Sequence, residues 1–237
     1  MAKLGDYYNE DTVALTEKLI RQRDEDFDWL LKFLERAKKN DLDAIYFLAH
    51  SFTRNSKCPE EIPVGVAWLL KIVDLYESGA FANTSSLVES PVIYYKAKRY
   101  LATIFLPCLP LINDVLKHNV GTAVPEDPEF GFQMLLDVCK SPVADSEDWI
   151  SLSIAYFAGI GTKQDAASAK ESLEMAIKLD TNKESPGVEP DFIEHISNLL
   201  ESDPTGQTLI SEGKSLTRTE ETTVKKLQAT LRRPQNE

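Results

Sequence analysis

The side chains that carry most catalytic chemistry are sparse in this chain. Three cysteines, Cys58, Cys108 and Cys139, stand 50 and 31 residues apart, and the three histidines, His50, His118 and His195, are as widely scattered. An odd, thin set of cysteines makes no disulfide framework; it points to a reducing compartment, with the thiols used as small apolar groups. Cys58, in the polar stretch Asn55 to Glu61, is the candidate for a reactive thiol. No C-x-x-C, H-x-x-H or H-E-x-x-H spacing occurs, so no zinc set is expected, and no metal site. A catalytic Cys/His pair would have to be assembled in space, and nothing in the spacing favours one. The P-loop, G-x-G-x-x-G, G-x-S-x-G and kinase patterns are missing, so no catalytic residue and no cofactor is expected. Carboxylates are plentiful. Asp24-Glu25-Asp26-Phe27-Asp28 could hold a cation or a basic peptide, but the same residues cap the helix that Trp29 opens, which is the preferred reading. Asp145, Glu147 and Asp148 before Trp149 read the same way. One cluster stands out from the acidic background: Lys96, Lys98 and Arg99 with Tyr94, Tyr95 and Tyr100. Rings around an Arg suit capture of an extended peptide or an acidic chain end. Alternatively, the tyrosines pack between helices and the lysines face water.

Such residues need a scaffold, and composition limits which. With 38 acidic and 26 basic side chains the chain carries a formal charge of −12, which repels phosphate backbones and argues against nucleic-acid binding. No apolar run reaches the roughly 18 residues of a membrane span. Met1 to Glu10 offers neither an apolar core nor the Arg content of a targeting peptide, so a cytoplasmic protein is expected, with the nucleus as the alternative. At 43% apolar residues, 237 residues can build a sizeable core.

Helical periodicity dominates, and two elements repeat. Trp29-Leu30-Leu31-Lys32-Phe33 returns as Trp68-Leu69-Leu70-Lys71-Ile72, more loosely as Phe132-Gln133-Met134-Leu135-Leu136, and again within Ala169 to Ala176. Leu48-Ala49, Leu101-Ala102 and Ile154-Ala155 are spaced 53 residues apart, each followed by an aromatic: Phe52, Phe105, and Tyr156 with Phe157. The elements alternate. Trp-type helices are predicted at about 26–39, 64–78, 129–140 and 166–179, and Leu-Ala helices at about 44–54, 91–106, 147–158 and 191–202. Pro59, Pro63, Ser90-Pro91 and Asp127-Pro128 mark breaks or starts, and Gly159-Ile160-Gly161 a stop. Helices this short must stack to bury their apolar faces.

Trp29 to Phe52, WLLKFLERAKKNDLDAIYFLAHSF, resembles the Sel-1-like repeat, a relative of the tetratricopeptide repeat. Ile150 to Leu179 is similar, including its Gly-x-Gly loop followed by Asp165 and Ala169. The resemblance implies an all-α fold, a right-handed α-solenoid of antiparallel helix hairpins over residues 26–202. Residues 1–25 form an N-terminal helical segment, and 203–237 a linker and amphipathic helix or tail. Ala49, Ala102 and Ala155 stand where the family commonly has Gly. A solenoid's Leu-Ala helices would line the groove. Aligning them stacks Tyr46, Arg99 and Leu152 in one row and His50, Thr103 and Tyr156 in the next, with Tyr95 beside them. These seven residues are the expected partner-binding face.

Two segments fall outside the repeat. The connection at about 106–128 carries Leu111, Ile112, Val115 and Leu116, and is either a docking loop or an insertion packed on the core. Residues 214–237 hold six basic and three acidic side chains, and Thr217-x-x-Glu220 is a capping-box pattern before Val224, Leu227 and Leu231. The expected function is a non-catalytic protein–protein interaction scaffold or adaptor, monomeric, with neither nucleic-acid nor membrane contacts, holding a peptide or partner domain in its groove. Its rivals are a constitutive complex subunit or assembly factor, docking by its convex face, the insertion or the C-terminal helix, and, last, an all-α enzyme.

Overall fold

The computed structural model describes residues 10–23, 28–53, 60–81, 90–106, 124 and 127–180, together with 198 and 202. The described residues form eight longer helices and no strand. These are α1 (Glu10–Arg21), α2 (Asp28–Ala37), α3 (Leu42–Thr53), α4 (Glu61–Ser78), α5 (Ser90–Phe105), α6 (Pro128–Cys139), α7 (Ser146–Ala158) and α8 (Ala166–Asp180). None of them is long and apolar enough to cross a membrane. Asn198 and Ser202 are helical, consistent with the expected helix at 191–202, the rest of which lies outside the described residues. So do Cys58, Cys108, His118, His195, Asp24 to Phe27 and residues 203–237. Of the 106–128 connection, Val124 is described within its interior and is buried.

Local chemistry explains the boundaries. Asp127 accepts a hydrogen bond from the Phe130 N–H, and Pro128 follows in the first turn of α6, where no N–H is needed. Asp145 and Asp148 make a reciprocal capping box on α7. Asp165 caps α8 through the N–H groups of Ala167 and Ser168, and the Ser168 hydroxyl bond holds its carboxyl below the usual range. Gly79 and Gly159, both at φ 68°, end α4 and α7 in the left-handed conformation that glycine adopts without strain.

Packing follows chain order. The closest partnerships are α3 with α4, α5 with α6 and α7 with α8; α4–α5 and α6–α7 contacts join them, and α3 also meets α5. One apolar core runs from Leu19 and Ile20 of α1 to Leu173 and Ala176 of α8. The N-terminal helix therefore shares the core. Within two of the pairs a glycine lets the helices cross closely. A Cβ on Gly65 would press on Phe52 and Thr53, and one on Gly131 on Phe105 and Leu106. Gly65 and Gly131 take like places in the two crossings, each against the end of the helix before it.

Candidate interaction face

The basic cluster on α5 lies between helices. Lys98 is buried, with its Nζ 2.6 Å from Asp137 of α6, 3.2 Å from Glu77 of α4 and 4.5 Å from the centre of the Tyr94 ring. Burial works against its charge, but the bonds to Asp137 and Tyr94 outweigh it and raise the ammonium pKa. Burial drives the Tyr94 hydroxyl to about 12, and that hydroxyl donates to Glu77 at 2.8 Å. One lysine thus ties three consecutive helices together.

Arg99, the next residue, ties α5 to the start of α7. Its Nη2 reaches Asp145 at 3.1 Å, the Val143 carbonyl at 3.1 Å and the Asp148 carboxylate at the start of α7. Burial opposes the guanidinium charge, and Asp148 more than restores it. Burial also pushes the Asp148 carboxyl up to about 6, against the pull of Arg99 and of the Asp145 N–H. The Arg99 charge, expected to meet a partner's carboxylate, is met by two carboxylates of the chain. Leu152, expected in the same row, is buried at 1% exposure. Of that row Leu152 is interior, while Tyr46 and Arg99 are both half-buried, Arg99 with its guanidinium turned to α7.

Rings do converge nearby. Tyr46 and His50 of α3 meet Tyr100 of α5, at centroid separations of 6.3 and 5.8 Å, and Tyr46 and His50 lie 6.2 Å apart. All three are half-buried, so each keeps part of its ring toward water. Further along, Thr103 donates to the Arg99 carbonyl, and Tyr156 stands edge-on to Phe132 at 5.2 Å. Tyr95 packs against Tyr94 at 4.9 Å. The structure therefore brings Tyr46 and His50 together with Tyr100, which the expected set lacked; their α3–α5 juxtaposition is a tertiary property.

Reactive groups are subdued where they are described. Burial, with Asp148 and Asp145 nearby, pushes the Cys139 thiol far up, so it stays protonated and poorly nucleophilic. No group of three or more metal-ligating side chains converges among the described residues. A buried pair that the sequence pattern missed joins Arg23 to Glu61 through two bonds of 2.9 Å, with further bonds from Arg23 to Ser51. It clamps the chain after α1 to the α3–α4 junction.

A second aromatic surface, also unforeseen, lies on α2 and α3. Trp29 and Phe47 are 44% and 48% exposed, and Phe33 bridges them at 5.8 and 5.0 Å. The Arg36 guanidinium lies 5.4 Å over Phe33. The sequence shows the tryptophan but not its exposure, which depends on the helices packed around α2. Compared with protein-family models, with curated proteins and with solved structures, the chain matches none.

Proposed function

We propose that this chain is a non-catalytic protein-interaction module, a right-handed solenoid of Sel-1-like hairpins acting in the cytoplasm or nucleus. It holds a peptide or partner domain on the face formed by α3, α5 and α7. The observation that carries the reading is the convergence of Tyr46, His50 and Tyr100 as half-buried rings from two different hairpins. Rings held this way offer contact area at little entropic cost, and their hydroxyl and imidazole groups can bond a peptide backbone. Thr103 and Tyr156 extend the face. Recognition rests on stacking and hydrogen bonds, since Arg99 is engaged within the fold.

The role of the charged residues agrees with a scaffold. Lys98 joins α4, α5 and α6, Arg99 joins α5 to α7, and Arg23 joins the end of α1 to α3 and α4, which suits a rigid platform that changes shape little on binding.

The test replaces Thr103 or Tyr156 with a photo-crosslinking amino acid and captures partners from native lysate. It is repeated with His50→Ala and Tyr46→Ser, each shown by thermal unfolding to retain its fold. A partner captured by the parent and lost in both variants supports the face; one retained in both removes the site from it. Arg99→Glu is no surface probe, because it sets a third carboxylate against Asp145 and Asp148 and attacks the fold.

A further inference from the structure

We propose that the surface made by Trp29, Phe33 and Phe47 is a second docking site, and that its occupant is an acidic, amphipathic segment of a partner protein. Three observations lead there, none depending on the α3–α5 face. The first is contiguity. Two of the largest exposed apolar side chains of the described residues are joined by Phe33 into one aromatic strip across α2 and α3. Such clustering marks interfaces, whereas scattered single apolar residues do not.

The second is the repeat itself. Trp68, the counterpart of Trp29, is 0% exposed, and its Nε1 donates at 3.0 Å to Thr16 of α1. The same pentad thus has an enclosed solution in α4, in which a further helix lies over the indole. At α2 that cover is incomplete. An amphipathic segment supplies what the pattern uses elsewhere.

The third is charge. Residues 24–41 hold four basic and six acidic side chains, and it is the basic ones that stand along the aromatic strip. Lys32 and Arg36 share the helix strip of Trp29 and Phe33 by their spacing of three and four, and Lys39 lies in the turn beyond. Asp41 takes Arg36, and Glu35 takes Lys38. Lys32 and Lys39 are exposed and have no carboxylate partner among the described residues. Apolar side chains of the occupant meet Trp29 and Phe47, and its Asp or Glu side chains meet the two lysines. Like-charged segments are turned away.

The test pans a random peptide library, displayed on phage, against the full-length chain and measures the enriched peptides by titration calorimetry. The expected peptides pair an aromatic or Leu with at least two carboxylates. Their affinity should fall at least about tenfold in Trp29→Ser and Phe47→Ser and weaken as salt rises. It should be unchanged in Met175→Ser on α8 and in His50→Ala. The second control separates failure of this site from failure of the α3–α5 face. Should either aromatic variant unfold, Lys32→Glu/Lys39→Glu decides, and it must shift the preference from acidic to basic peptides. A library that yields no binder, peptides without carboxylates, or peptides that bind all variants equally overturns the proposal. Self-association of the parent that Phe47→Ser abolishes assigns the surface to a second copy and overturns it as well.

Discussion

Helices α2 and α4 contain nearly the same five residues, and the two tryptophans meet opposite fates. In α4, Trp68 is fully enclosed, its indole N–H is satisfied by Thr16, the helix start is clamped by the buried Arg23–Glu61 pair, and Gly65 lets α3 press close. In α2, Leu30 and Leu34 are buried as their spacing requires, while Trp29 keeps nearly half its surface in water and the ion pairs lie at the rim. A repeat motif specifies a helix and one buried stripe. How many sides of that helix become interior depends on how many neighbours stand around it.

The sharpest way to break this comparison is to truncate both indoles. Trp68→Ala should cost about 3–5 kcal/mol, as for other fully buried large side chains, whereas Trp29→Ala should cost less than about 1 kcal/mol. Urea unfolding followed by circular dichroism reads both, and equal losses would dissolve the distinction. The ion pairs should divide the same way. Glu61→Ala removes the buried carboxylate that Arg23 holds by two bonds and should cost about 3 kcal/mol. Glu35→Ala, in an exposed pair, should stay within about 0.5 kcal/mol.

Smaller effects sharpen the account of how α4 is held. Gly65→Ala should lose about 1–3 kcal/mol through overpacking against the end of α3. Gly131→Ala should lose a similar amount against the end of α5, and a neutral result would show that crossing to be looser. Thr16→Val deprives the Trp68 indole of its acceptor and should cost about 1–2 kcal/mol.

A pH slope extends the account of enclosed charge to α7. The folded Asp148 carboxyl titrates at about 6, above its unfolded value of 3.8. Between these values the folded state binds the proton more tightly, so this group's contribution to stability falls as pH rises from about 4 to 6. Asp148→Asn should flatten that part of the profile. Removing the opposing pull with Arg99→Leu should move the Asp148 titration higher still, which carboxyl NMR would detect. The exposed Asp165 runs the other way: its lowered value makes its contribution appear above the unfolded range and fade on acidification.

Much of the helical layout was legible in the residues. The starts at Ser90-Pro91, Asp127-Pro128 and Asp145, and the stop at Gly159, depend on side chain and backbone within one turn, so sequence spacing contains them. The candidate site was read less well. Tyr46 and His50 were placed on the expected face, whereas Tyr100 was noted only within the basic cluster, because aligning Leu-Ala pairs places equivalent residues in rows while the α3–α5 packing brings non-equivalent ones together. Arg99 was read as open because its partners Asp145 and Asp148 lie 46 and 49 residues away and had been assigned wholly to capping.

The sequence alone therefore determined where helices begin and which stripe of each is apolar, since those properties arise from contacts three or four residues apart. Tertiary structure decided which charges became internal ties, which of two matching tryptophans was enclosed, and which rings converged. Those outcomes depend on the number and closeness of neighbouring helices, and on the cost of burying a charge or indole without a partner, which no local pattern encodes.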